Sequence, residues 1–512
     1  MSTTATAGAV STSHHLATEA GAAALRAGGN AIDAALAAAA ALCVVYPNNV
    51  ALGGDLVALV RSPDGEVRFL NATGEAPSAQ SLEALRSTHG DRLPVRGIDT
   101  VTIPGGVHGW QALHELGAKL DWAQHLAAAI GLAESGHPTA RSVANALVAL
   151  RGEMLADEGA SGVFFPDGEP LLEGQPLVQP ALAASLRRLA EHGADEFYEG
   201  ELARRWVAGL ARLGSRISLA DTSSYRPFWD RPLERDFAGL RVLTGPPNTS
   251  GFILLRALLA VEAGIEDPLG DGAGRLALAL RDGNAVRAAW LADPRFGGLG
   301  GDDLIERPAP VGICPGDPKP TGDTVGLSAT SADGWSVSLI NSVYYAFGAA
   351  ILEPETGILF QNRGTSFSLD PASPNAFAPG KRPRHTLMPV LVLRGDEPIL
   401  VPATMGGSAQ PQIHAQLLLR SLAGADPAQA THAPRWIVEE PDAAGIARAT
   451  VEEDVPEQVR RSLAGVGFEL RIVPRHSEDL GHSNLIRLEG GGYLAASDPR
   501  SDGSALVVPA SG

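Results

Sequence analysis

Thr324 stands where two very different stretches of chain meet. Upstream, residues 297–323 (GGLGGDDLIERPAPVGICPGDPKPTGD) are rich in Gly, Pro and Asp and lack hydrophobic periodicity, the composition of an exposed, mobile connection. Downstream, VGLSATS reads as a strand. If the Asp323–Thr324 bond is cut, Thr324 carries a free α-amine beside its hydroxyl. An α-amine ionises near pH ~8, so at neutral pH a useful fraction is uncharged and can take the hydroxyl proton. One residue then serves as nucleophile and base. Composition alone favours the plainer reading, a strand Thr that happens to follow a loop. Other chemistry-bearing runs are weaker. His14-His15 has no carboxylate or Cys at ligand spacing and reads as a helix start. Gly53-Gly54-Asp55 and the glycines from Gly297 to Gly301 lack the Lys and the strand–loop–helix frame of a phosphate loop. Cys43 and Cys314 are far apart and form neither a metal pattern nor a disulfide framework, so two reduced thiols are expected.

The elements that must position such residues are legible in part. The chain has 512 residues, 45% hydrophobic and 19% charged, which is globular composition. A formal net charge of −18 with no dense Lys/Arg run argues against a nucleic-acid partner. The start MSTTATAGAV lacks the basic and apolar regions of a signal peptide, and the apolar stretch Ala34 to Val45 is too short to span a bilayer. A cytoplasmic location without membrane association is therefore expected. Residues 16–27 and 31–45 read as two helices broken at Gly28-Gly29-Asn30, the second one buried. A hairpin follows around Pro63-Asp64-Gly65. Residues 105–220 read as mostly helical, with segments at 112–116, 122–135, 142–150, 180–191 and 197–213. A short strand (LRVLT) then leads through Pro246–Gly251 into a helix ending near Glu262. After Thr324 the chain is strand-rich: VGLSATS, WSVSLINSVY, MPVLVLR, PILVPA, ELRIV, NLIRL, YLAAS and ALVVP, interrupted by helices near 411–422 and 456–465. Helices first and strands later predict an α+β fold with helices covering a sheet.

Seven blocks, in order, carry a resemblance. They are SHHLATEAGAAALRAGGNAIDAALAAAAALCVVYPNN, LGGDLVALV, VTIPGGVHGW, SRISLADTSSYRPFWDRPLERDFAGLRVLTGPPNTSG, GDTVGLSATSADGWSVSLINSVYYAFG, then NRGTSFSLD with PGKRPRHTLMP, and MGGSAQPQI. From about Gly8 to about Arg435 the chain resembles the gamma-glutamyltransferase (gamma-glutamyltranspeptidase) family of N-terminal-nucleophile hydrolases. The resemblance implies a four-layer αββα sandwich and a precursor cut before Thr324. The large fragment would be residues 1–323, ending in the linker 297–323, and the small fragment 324–512, the two remaining one folding unit. It implies Thr324 as nucleophile and Ser342 as the hydroxyl that supports it. It also implies Gly406 and Gly407 as the backbone N–H pair facing the oxyanion, a task suited to residues without Cβ. No metal or organic cofactor is implied.

The acyl pocket departs from the transpeptidase pattern. The block reading NATGEAP has Thr73 where the family carries an Arg for the glutamyl α-carboxylate. The acidic residue and Gln that hold the α-amino group correspond to Ser366 and Arg363. Tyr344 replaces a small polar residue, and His385-Thr386 replaces a Ser pair. The pocket thus loses a carboxylate and gains Arg363, which suits an anion better than a zwitterion. Arg363 reads equally well as a surface loop residue. Tyr344 is expected to narrow the cavity, and His385 to pack or support. Similar NRGxSF and PGKRPxHT forms occur in relatives that act on oxamate-like acids or remove dicarboxylic side chains from beta-lactams. The expected activity is hydrolysis, or acyl transfer, of a gamma-glutamyl or related carboxylated amide. The alternatives are an oxamate-like amidohydrolase or dicarboxyl acylase without glutamyl preference, and a non-catalytic relative that never matures. A homo-oligomer is left open.

Overall fold

The computed structural model describes residues 6–310, 324–440 and 446–510. Two antiparallel sheets lie face to face. The first has seven strands in the order Ser504–Pro509, Thr6–Thr12, Val325–Ser331, Ser336–Ser342, Asp55–Arg61, Val67–Ala72, Phe228–Asp230. The second has six, in the order Gly492–Ser497, His482–Glu489, Glu397–Met405, Val390–Arg394, Leu240–Thr244, Leu233–Phe237. Both sheets mix strands from before and after residue 323.

Val57, Leu59, Ile340, Leu391, Val401 and Ile486 fill the space between the sheets. A helical layer built on Ala31–Val45 covers the outer face of the first sheet. The helices Phe252–Glu262, Ala273–Trp290 and Gln410–Leu422 cover the second. This is the expected αββα sandwich, an α+β fold. The three central strands Val325–Ser331, Ser336–Ser342 and Asp55–Arg61 are buried at every position because both their faces are covered. Their many small residues let the sheets approach closely: a Cβ on Gly326 would lie 2.6 Å from the Thr404 nitrogen. No helix among the described residues is long and apolar enough to cross a membrane.

The helix Ala31–Val45 is buried along its whole length, as its composition predicts. Asn30 caps it, and Asp33 closes the capping box from the third position. Asp33 also accepts from Leu120 N–H (2.9 Å) and meets His125 Nε2 at 2.9 Å, tying the buried helix to the layer outside it. His14 caps the preceding helix through Nδ1, which accepts from Leu16 N–H at 3.2 Å. Cys43 is a buried free thiol.

Several expectations need correction. The linker 297–323 is not structureless throughout. Gly301–Glu306 is a helix whose Leu304 and Ile305 are buried, and Arg256 Nη1 donates to the carbonyls of Leu304 (3.0 Å) and Arg307 (2.7 Å). One apolar pair is too short a run to reveal helical periodicity. Residues 311–323, with Cys314 and with Asp323 of the expected cleavage site, lie outside the described residues. The helix expected at 112–116 begins at Gly106. Its first turns are masked by glycines such as Gly109, where a Cβ would come within 2.8 Å of the Ala72 side chain. The strand Thr6–Thr12, built largely of small residues, gave no strand signal.

One buried charge cluster ties the C-terminal strands together. Asp498 receives Arg435 Nη2 (2.7 Å) and Arg500 Nη1 (2.9 Å), while Arg500 Nε reaches Glu452 at 2.7 Å. Burial opposes ionisation of Asp498, but the two guanidiniums prevail and hold its carboxyl well below the usual carboxylate range. Removing one member of such a cluster strands the others in a dry interior. Asp498→Ala is therefore expected to lose about 3–5 kcal/mol in a urea-unfolding midpoint experiment near neutral pH. Because the folded carboxyl titrates below the unfolded value near ~3.9, this stabilisation is complete above that value and is lost as the pH falls further. The gap between variant and parent should therefore close only in strong acid.

Candidate active site

Strand register lines up the site. Ser342 pairs with Asp55, Asn341 with Val325, and Leu56 with Ala72. One step along each ladder aligns Thr324, Ser342, Asp55 and Thr73 across four neighbouring strands. Residues opposite one another in a ladder share a face of the sheet. Thr324 Oγ1 and Ser342 Oγ are 2.9 Å apart, and both residues are buried. Ser342 Oγ also accepts from Tyr344 N–H at 2.9 Å.

Asp55 stands out in the sequence only as the end of Gly53-Gly54-Asp55, which reads as a phosphate-loop fragment without its Lys. It opens a strand, DLVALVR, that is buried throughout. An acid in an otherwise apolar run was the available signal, since buried carboxylates are rare unless paired. Gly74 N–H donates to Asp55 Oδ1 at 2.9 Å, and His385 Nε2 lies 3.1 Å from Oδ2. Leu387 N–H points at His385 Nδ1 (3.4 Å), which makes Nε2 the nitrogen that donates to Asp55. Burial raises the Asp55 carboxyl to about 7, with the Arg363 charge the largest opposing influence. Burial, reinforced by Arg363, pushes His385 well below the ordinary imidazole value. His385 is therefore a neutral donor that supports a carboxylate.

Arg363 is not a surface residue; it is 1% exposed. It sits in the short 3-10 turn Arg363–Ser366, its Cζ lies 3.6 Å from the Tyr344 ring centroid, and its Nη1 donates to Thr386 Oγ1 at 3.2 Å. Stacking on an aromatic face and a side-on hydrogen bond fix the guanidinium fork in place. Tyr344 holds its ring there from a left-handed backbone (φ +82°), rare for a bulky residue. Arg363, Tyr344, His385 and Thr386 thus come together next to the Thr324–Ser342–Asp55 row. Ser366 and Thr73 are also buried here, but their hydroxyls serve the scaffold. Ser366 Oγ faces the carbonyls of Arg363 (3.0 Å) and Arg384 (2.9 Å), and Thr73 Oγ1 donates to Asn71 Oδ1 at 2.7 Å.

Gly406 and Gly407 follow the strand Glu397–Met405 and lead into the helix Gln410–Leu422. Gly407 has φ +53°, and a Cβ on Gly406 would come 2.5 Å from Ile413 Cδ1, so neither position suits a larger residue. The contact of Gly326 with Thr404 lays the start of the Thr324 strand against the end of this one. Among the described residues no group of three or more His, Cys, Asp or Glu is arranged to hold a metal ion.

Two face-to-face antiparallel sheets between helical layers, with a hydroxyl residue at the head of a central strand, define the N-terminal-nucleophile hydrolase fold. Residues 17–508 match the gamma-glutamyltranspeptidase family model, and the chain belongs to that family of amide-cleaving enzymes. It is 35% identical over 516 residues to the oxamate amidohydrolase proenzyme of Klebsiella pneumoniae, covering 96% of this chain and 97% of that one. It is 33% identical to the glutathione hydrolase-like YwrD proenzyme of Bacillus subtilis, covering 97% of both chains. The crystal structure of a cephalosporin acylase from Bacillus halodurans superposes with a TM-score of 0.90 at 33% identity, covering 98% of this chain and 96% of that one.

Proposed function

We propose that this chain is an autoprocessed Thr-nucleophile hydrolase of small amides that carry a carboxylate on the acyl side. Cleavage of the Asp323–Thr324 bond frees the Thr324 α-amine. Thr324 Oγ1 attacks the amide carbon and its proton passes to that amine. The Gly406 and Gly407 N–H groups receive the oxyanion, and Ser342 steadies the nucleophile. Collapse expels the leaving amine, which takes the proton, and leaves an ester on Thr324. Water then attacks the ester, releasing the acid and restoring the hydroxyl. An amine in place of water would give acyl transfer.

The observation that carries the substrate reading is Arg363, buried and stacked on Tyr344, whose own N–H binds Ser342. A fixed guanidinium in a dry site recognises a carboxylate in bidentate fashion. The names of the similar proteins, an oxamate amidohydrolase and a cephalosporin acylase, agree with such chemistry. Purified protein should run as two bands on a denaturing gel, with the smaller beginning at Thr324 by N-terminal sequencing. A persistent full-length band in active material, or a different first residue, would overturn the mechanism. Gamma-glutamyl anilides assayed beside oxamate and glutaryl amides test the substrate. Dominant glutamyl turnover would refute the anion pocket.

A further inference from the structure

A cavity of about 210 Å³ is walled by the helix Arg141–Ala149 and the turn Glu478–Leu480. Asn48, Ser142 and Ala346 line it from the buried side, and Asp479 lines it from the exposed side. Ala146, Ala149 and Leu150 form an apolar flank. A short hydrogen-bond chain sets its polarity. Asn48 Nδ2 donates to Ser142 Oγ at 2.9 Å, and Ser142 Oγ donates to Glu478 Oε1. Ser142 has one hydroxyl proton and gives it to Glu478, so it accepts from Asn48. That orients the Asn48 amide and leaves its Oδ1 a buried acceptor without a partner, on a residue only 2% exposed. Such an atom is costly unless something brings it a donor. Glu478 is charged here: burial opposes ionisation, but His482 and Ser142 hold its carboxyl below the ordinary glutamate range. Nearby guanidiniums are engaged. Arg96 donates to the Ala346 and Gly348 carbonyls, Arg141 to the Arg500 carbonyl, and Arg471 reaches one oxygen of Asp479 at 3.4 Å. None of the three lines the cavity.

We propose that this cavity binds a small primary ammonium ion, its charged end at Asn48 and Glu478 and its carbon chain along the apolar flank. A primary ammonium has three N–H donors and no acceptor, which suits a cavity offering the Asn48 oxygen and two carboxylates. The cavity shares its walls with the catalytic scaffold. The Asn48 carbonyl accepts from Phe347 N–H at 2.9 Å and the Asn49 carbonyl from Val343 N–H at 3.0 Å, which pins the buried side to the segment after Ser342. On the other wall, Glu478 leads to Gly481, where a Cβ would lie 3.0 Å from Gly406 Cα. Hydrolysis of an amide releases an amine, which takes one proton from solvent at neutral pH to become an ammonium ion. The same chemistry can therefore come from the reaction itself or from a free ammonium ion in solution. Binding rests on the cavity alone; only the first source depends on the Thr324 chemistry.

The probe is n-propylammonium chloride, titrated calorimetrically into the purified protein near neutral pH. Salt at about 150 mM screens the general attraction of an acidic protein for cations. One saturable site is expected. Glu478→Gln and Asp479→Asn should each weaken it about tenfold. Tetramethylammonium, which has the charge but no N–H, should bind at least about tenfold more weakly than n-propylammonium. Asp479 is exposed, so its variant keeps the test open should Glu478→Gln not fold. Absence of saturable binding to the parent, unchanged affinity in the variants, or equal affinity for tetramethylammonium would overturn the proposal. These titrations require no turnover, so their failure leaves the Thr324 mechanism standing. Hydrolysis of the mono-propylamide of glutaric acid then identifies the source. Inhibition by n-propylammonium that Asp479→Asn relieves makes the released amine the occupant, whereas saturable binding without inhibition makes it a free ammonium ion.

Discussion

Thr324→Ala is expected to abolish amide hydrolysis, lowering kcat/KM by on the order of 10⁴-fold or more, and to leave the chain as one full-length band. In the proposed mechanism Thr324 supplies both nucleophile and base: the change removes the hydroxyl directly and, by blocking chain cleavage, keeps the nitrogen locked in a peptide bond. The remaining groups retain only what they contribute as oxyanion donors and as a binding site. Ser342 cannot substitute, because its hydroxyl lies within a continuous strand and has no α-amine to take its proton. Thr324→Ser keeps the hydroxyl and should keep both processing and measurable turnover. A Thr324→Ala protein that still splits, or still turns over beyond background, would move the chemistry elsewhere. Mass spectrometry of the purified chain and progress curves with a chromogenic anilide read the two outcomes separately.

Arg363→Met is expected to lower kcat/KM for carboxylated amides by roughly a hundredfold, equivalent to about 3 kcal/mol of lost charge-assisted hydrogen bonding. Neutral amides of the same length should lose far less, because nothing in them addresses the guanidinium. This differential is the signature of anion recognition. Equal losses on both substrate classes would instead make Arg363 a packing residue over Tyr344. Arg363→Lys keeps a charge but gives up the planar stack and the fork, so it should fall between parent and Met. Without Arg363 the Asp55 carboxyl loses its strongest stabilising charge and moves further above about 7. The Arg363→Met protein should thus fold with Asp55 neutral across the physiological range. A small effect on its thermal midpoint beside a large effect on kcat/KM would separate recognition from folding.

Much of this was legible in the sequence because it is written locally. The break at Gly28-Gly29-Asn30, the apolar run of Ala31–Val45 and the hairpin around Pro63-Asp64-Gly65 are each set by neighbours a few residues away, and the structure has them where the pattern put them. The motif blocks brought Thr324, Ser342, Gly406 and Gly407 to attention, with the family as their frame. Where local pattern was thin, the reading failed. Thr6–Thr12 is a strand of small residues, the helix from Gly106 opens on glycines, and Leu304-Ile305 is too brief to show a period. Pattern alone pointed to α+β with helices over a sheet, and the motif blocks carried the family and, through that resemblance, the αββα layering and the residue types at the strand head. Which buried polar groups meet was settled by packing across the chain. Asp55 and His385 are 330 residues apart. Arg363 is buried because Tyr344 lies beneath it, while the Ser366 hydroxyl turns to backbone carbonyls. Secondary structure follows from short-range periodicity, whereas the pairing of buried charges follows from which chain segments pack together, and no local pattern carries that.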